Sequence, residues 1–134
     1  MTTMKNLFLL IALSTSIASF AQSDSTKKEA PLVIVEQMPE FIGGNTAMTK
    51  YIQKNFQYPP EAHKLKEGAK CYVTFVVEKD GAVDEVRVLK GVAGCPTCDA
   101  EAVRVVSSMP NWTPGMQNGR KVRTQFNLPL MFRP

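Results

Sequence analysis

The chain is short of the residues from which most active sites are assembled. Of its 134 residues only one is histidine, His63. Any histidine-based catalytic constellation would rest on that side chain alone, and it falls in a short polar helix where a solvated surface residue is the ordinary outcome. No glycine-rich phosphate loop follows a strand: Gly43-Gly44 and Gly115-x-x-x-Gly119 lack both the spacing and the strand-to-helix context. There are three cysteines. A zinc site from Cys71, Cys95, Cys98 and His63 would contain one paired-ligand motif where the strong signature has two, so no metal is expected. The formal charge is +4 and its basic residues are interleaved with acidic ones rather than gathered into a tail. That is solvated surface, and it excludes nucleic acid as the natural partner. Asp99 and Glu101 open a helix, where carboxylates favour the dipole, so capping outweighs an acid/base pair. The expected protein has no catalytic residue, no cofactor and no small-molecule substrate.

What is present is an exported, folded domain of ordinary composition, 44% hydrophobic and 21% charged. Lys5 is a positive leader residue, and Leu7 to Ile17 is an apolar core interrupted by Ser14, Thr15 and Ser16. Ser19-Phe20-Ala21 places small residues at the −3 and −1 positions, so residues 1–21 are expected to be a cleaved signal peptide and Gln22 the mature start. A membrane anchor is the alternative, but the apolar stretch falls short of the ~20 residues of a spanning helix. Residues 22–37 form a linker and extended arm, polar at first and then β-branched in Pro31-Leu32-Val33-Ile34-Val35. Residues 38–134 are the domain.

Within the domain, Asn45 is expected to cap a helix with apolar positions Met48, Tyr51, Ile52 and Phe56, ended before Pro59. Pro60 starts a second, short helix closed by Gly68. Residues 70–78 alternate as a strand, with Cys71, Val73, Phe75 and Val77 on one face. Asp80-Gly81 turns this strand into a second over 83–90. Asp99 is expected to cap a third helix with Ala102, Val103, Val106 and Met109 buried, ended by Pro110. A last strand over 122–132 sets Val122, Thr124, Phe126, Leu128 and Leu130 against Lys121, Arg123, Gln125 and Asn127. The fold class is α+β: a three-stranded antiparallel sheet with helices packed on one face.

Two features could carry function. Cys95-Pro96-Thr97-Cys98 at a helix start has the local geometry of a thiol-disulfide oxidoreductase. One helix and one strand after the motif are too few for a thioredoxin-like chain, so a structural disulfide is favoured, with the redox pair as the alternative. Cys71 reads as a buried small apolar residue. The second feature is the edge of the last strand, Val122, Arg123, Thr124, Gln125, Phe126, Asn127 and Leu128, which suits strand addition by an extended peptide. The competing possibilities are an edge covered by the 31–35 arm, or by a second copy of the chain in a structural homodimer.

The motifs are more specific as an ordered set. Tyr58-Pro59 with Ala62, Gly68, Val73-x-Phe75-x-Val77 and Asp80-Gly81-x-Val83 come first. Glu101-Ala102, Val105-Val106 and Met109-Pro110-x-Trp112-x-Pro114-Gly115 follow, with Val122 leading to Leu128-Pro129-x-x-Phe132. In this order they resemble the C-terminal domain of TonB, the energy transducer for outer-membrane transporters of Gram-negative bacteria. Pro39-Glu40-Phe41-x-Gly43-Gly44 ahead of Tyr51-Ile52 is similar to an extension of Bacteroidetes-type members, so the resemblance spans residues 38–134. It implies a periplasmic binding module whose last strand pairs with the TonB box of a TonB-dependent transporter. Arg123, Gln125 and Asn127 would be outward contacts and His63 a weaker one. The family's membrane helix and proline-rich spacer are replaced here by a cleavable-looking leader and a linker without proline enrichment. Cys95 and Cys98 fall in the loop where the family varies most.

Overall fold

The apolar alternation of the central strand decides the architecture, because it commits one face of a sheet to burial. The computed structural model describes residues 28–65 and 67–133. The signal peptide over 1–21, its cleavage after Ala21 and the first part of the arm lie outside the described residues. Helix α1 (Gly44–Asn55) and a 3₁₀ turn (Pro60–Lys64) precede strands β1 (Ala69–Val77) and β2 (Val83–Lys90). Helix α2 (Pro96–Ser107) follows, then β3 (Gly115–Gln117), β4 (Arg120–Val122) and β5 (Thr124–Phe132). The main sheet has the order β2-β1-β5 and both pairings are antiparallel. Its fold is therefore the expected α+β class, with α2 packed across β1 and β2.

The core lies between one sheet face and the helices. Cys71, Val73, Phe75 and Val77 of β1 and Leu128, Leu130 and Phe132 of β5 meet Cys98, Ala102 and Val106 of α2. Trp112 stands edge-on at this seam, with ring centroids 5.3 Å from Phe75, 5.2 Å from Phe126 and 5.7 Å from Phe41. Gly81 makes the elbow possible. Its φ of 87° lets the β1–β2 turn run against the Trp112 backbone, whose N–H donates to the Gly81 carbonyl at 2.7 Å. A Cβ on residue 81 would collide with the Trp112 carbonyl.

Several expected boundaries move. Gly43, not Asn45, takes the α1 N-cap, and no side-chain cap bond forms there. Helix α2 begins four residues earlier than an Asp99 cap implies, because Pro96 is pre-set for the first helical position. Cys95 is its N-cap and accepts from the Cys98 N–H through Sγ at 3.2 Å. Asp99 instead turns back to accept the Val92 N–H at 2.8 Å and the Cys71 thiol at 3.6 Å. Val105 is fully buried on α2 while Val103 is only partly so. The single strand expected over 122–132 is two. Asn118-Gly119, with φ of 52° and 73°, turns β3 into β4, and the chain breaks pairing at Arg123 before β5. Positive φ at both central residues is what a two-residue hairpin needs, and Asn-Gly supplies it at least cost.

Candidate functional site: the edge of the last strand

Of the two edges of the main sheet, only that of β5 is regular. Nine successive residue pairs join β5 to β1 in unbroken register, from Val77↔Thr124 to Ala69↔Phe132. On the other side, β2 shifts register against β1 twice and carries Glu85 at a φ of 51°. Such bulges twist an edge away from incoming strands.

Backbone alternation then assigns each group of β5. The N–H of Gln125 donates to the Leu32 carbonyl at 2.8 Å, so it points away from β1. Residues 127, 129 and 131 share its phase and point the same way, while 124, 126, 128, 130 and 132 bond β1. The outward groups past Gln125 N have no backbone partner among the described residues. These are the Gln125 carbonyl, both groups of Asn127 and Met131, and the Pro129 carbonyl. Pro129 lies at an outward position, so its missing N–H costs the β1 pairing nothing.

The side chains named from sequence separate into three groups. Val122 belongs to β4, where it pairs with Gly115, and is not part of the straight edge. Thr124 and Leu128 are buried on the core face, and Phe126 is half-buried against Trp112. Gln125 and Asn127 lie on the open face. Asn127 is exposed, whereas Gln125 Nε2 donates to Thr74 Oγ1 at 3.0 Å.

Arg123 departs most from its expected outward position, because its side chain is only 7% exposed. Its Nε and Nη2 donate to the two carboxylate oxygens of Glu78 at 2.7 and 3.0 Å, Nη2 lies 3.4 Å from Glu85, and Nη1 donates to the Glu29 carbonyl. A planar fork facing a carboxylate explains why arginine occupies this break in the strand. Sequence reasoning missed Glu78 and Glu85 as partners. The Asp80-Gly81 turn is legible in the sequence, but which strand returns beside Glu78 and Glu85 is not.

His63 is exposed on the 3₁₀ turn and does not join residues 122–128. Its ring stacks 5.0 Å from Tyr58, which packs 6.1 Å from Phe132, so it sits by the far end of β5. The open outward positions Pro129 and Met131 are nearer that end and lie beyond the sequence candidates, which end at Leu128.

The arm occupies the other end. Leu32 bridges Thr124 in parallel orientation, its N–H donating to the Arg123 carbonyl at 2.9 Å. Lys28 reaches Asp84 at 2.7 Å, and its ammonium holds the Asp84 carboxyl below its usual pKa. Downstream, Gln37 pairs with Met116 and Glu40 with Thr113, while Val35 is buried.

The cysteines form no open catalytic centre. Cys95 and Cys98 are both fully buried, with Cα atoms 5.2 Å apart, in the range a disulfide requires. Burial, reinforced by the Asp99 carboxylate, pushes the Cys71 thiol up to about 11, so it stays protonated and unreactive near neutrality. The described residues contain no cluster of three or more potential metal ligands. Glu101, the acidic residue of the Glu-Ala motif, is structural. Arg104 donates to it at 2.6 and 2.8 Å and the Gln57 N–H at 2.7 Å, and these donors hold its carboxyl below the usual range.

No helix among the described residues is long and apolar enough to cross a membrane. No curated protein matches the chain. The family model of the Gram-negative bacterial TonB protein C-terminal does match, over residues 54–134, from the end of α1 through β5. That family is a non-enzymatic, transport-associated domain of periplasmic or membrane-associated proteins that interact with outer-membrane transporters. With more than half its length matched and the sheet order in place, the chain belongs to the TonB C-terminal domain family.

Proposed function

We propose that this protein is an exported periplasmic module that captures the TonB box of a TonB-dependent outer-membrane transporter as an added strand on β5. The observation that carries the proposal is the contrast between the two sheet edges. β5 keeps nine-pair register and leaves its alternate backbone groups open past Gln125, whereas β2 is bulged. An extended peptide laid along such an edge gains backbone hydrogen bonds whatever its side chains, and neighbouring side chains then set preference. Here those neighbours are Asn127 and Met131 on the open face and, at the far end, the Tyr58–His63 pair. We further propose that Cys95 and Cys98 form a structural disulfide that shapes the start of α2, where both sulfurs are buried.

The test is capture of a synthetic peptide copied from the periplasm-facing N-terminal segment of such a transporter. Asn127→Pro removes an outward N–H that β1 does not use, so the sheet keeps its own ladder. Capture should weaken at least about tenfold, the weight of one hydrogen bond and a steric block, with the melting temperature close to wild type. Unchanged capture by Asn127→Pro would place the peptide elsewhere. A wild-type chain that elutes as a dimer, and becomes a monomer in the same variant, would assign the edge to self-association instead.

A further inference from the structure

We infer that the N-terminal arm is a resident strand that competes with an incoming peptide for the upstream half of the β5 edge, so that partner capture is gated by arm release. This rests on the proposed use of β5 for strand addition and specifies how that site is regulated. The arm takes the two edge groups that begin the outward row, the Arg123 carbonyl and the Gln125 N–H. A peptide that paired along the whole of β5 would need both. With the arm in place, such a peptide has only the row from the Gln125 carbonyl to Met131, and that row lacks a donor at Pro129.

The arm is held in a way that allows release. Its apolar residues face solvent at the point of contact: Leu32 is 42%, Val33 60% and Ile34 87% exposed. Little hydrophobic burial therefore holds it there. Among the described residues, what holds it is one bridging residue next to the half-buried Pro31, the Arg123 contact to the Glu29 carbonyl, and the ion pairs of Lys28 with Asp84 and Glu78 and of Lys79 with Glu29. Exposed pairs contribute little and weaken with salt. By contrast the base of the arm is fixed, with Val35 and Phe41 buried and Gln37 and Glu40 bridged to Met116 and Thr113. A segment anchored at its base and weakly paired at its tip stays close to the edge when it detaches, which keeps its effective concentration high. Past the Leu32 bridge the arm bends at Val33 and Ile34, but its Val33-Ile34-Val35 run is β-branched, the composition of a strand former.

The experiment compares the full mature chain with its Leu32→Pro variant. Proline removes the N–H donated to Arg123 and sets a ring against that carbonyl. In hydrogen exchange, the Gln125 amide should be protected in the wild type and exposed in the variant, while the Phe126 and Leu128 amides, bonded within the sheet, stay slow in both. A dye-labelled peptide of residues 28–37, added in trans, should then bind the variant about tenfold more tightly, the weight of the pairing lost. If Gln125 exchanges as fast in the wild type as in the variant, the arm does not occupy the edge and the inference fails. If the peptide binds both proteins equally, the edge accepts strands but the arm does not compete for it. That result sinks the gate and leaves the proposed function standing. If Gln125 is released in the variant and the peptide binds neither protein, the edge refuses strands, and both proposals fall.

Discussion

Replacing Arg123 with methionine separates a structural clamp from a partner contact. The substitution keeps a long apolar stem and removes the guanidinium fork. In the folded protein that fork meets both oxygens of Glu78 and lies near Glu85, with the Arg123 side chain 7% exposed and those of Glu78 and Glu85 18% and 52% exposed. Removing one partner of a fully buried pair costs about 3–5 kcal/mol, because the other charge is left without compensation. Glu78 keeps some access to water and Glu85 a good deal, so solvent recovers part of that, and we expect a loss of about 2 kcal/mol. With a urea dependence of about 1 kcal/mol per molar for a domain of this size, the unfolding midpoint should fall by about 2 M. Adding Glu78→Gln to Arg123→Met should cost far less than the sum of the two single changes, because the stranded carboxylate is then gone. A variant that unfolds at the wild-type midpoint yet loses peptide capture would refute the clamp and restore Arg123 as an outward contact.

Two further perturbations test the scaffold around the site. Gly81→Ala puts a Cβ into the Trp112 carbonyl and asks alanine to hold a φ of 87°. Together with loss of the Trp112 N–H bond this should destabilise by about 2–4 kcal/mol, read as a lower melting temperature and a change in Trp112 fluorescence. The Glu101 carboxyl is held below its usual range by Arg104 and then by the Gln57 N–H. Its contribution is therefore complete above the ordinary glutamate value of about 4.3 and disappears as pH falls through the depressed folded value. Melting temperature against pH should show an acid limb that becomes shallower in Arg104→Leu; an unchanged limb would mean that other carboxylates set it.

The sheet was legible because each of its long strands carries its own signal. Cys71, Val73, Phe75 and Val77 recur at every second position and all are buried, although Thr74 and Val76 between them are buried as well, and Asp80-Gly81 is a turn that tolerates little else. The hidden hairpin had an equally strong local signal in Asn118-Gly119. Period alone does not separate it from the last strand, because Val122 and Thr124 share a phase and the break falls at the residue between them. Helix starts were misplaced for a related reason. Asn45 and Asp99 are good caps in isolation, but Gly43 and the Cys95-Pro96 step fix the chain earlier, and Asp99 is drawn to Val92 and Cys71. The edge of β5 was readable as an edge, yet its usable length was not. That length depends on which way Pro129 points and on where Leu32 lands, and both follow from register rather than composition.

The break at Arg123 links these features. At that point the chain leaves the small hairpin, enters the main sheet and exposes a carbonyl to the arm, while the same residue's side chain ties Glu78 of the β1–β2 turn to the Glu29 backbone. A change in its side chain must therefore act on the sheet and on the arm together, whereas Leu32→Pro acts on the arm alone. The free energy that secures the arm tip is small beside that of the sheet, since it has little apolar burial and rests on one bridging residue, the Arg123 contact to the Glu29 carbonyl and exposed ion pairs. Ordinary peptide affinities can overcome a contact of that size, but the nine-pair ladder behind it stays shut. Strand exchange at this edge thus requires no unfolding of the domain, only displacement of a strand that the chain carries for itself.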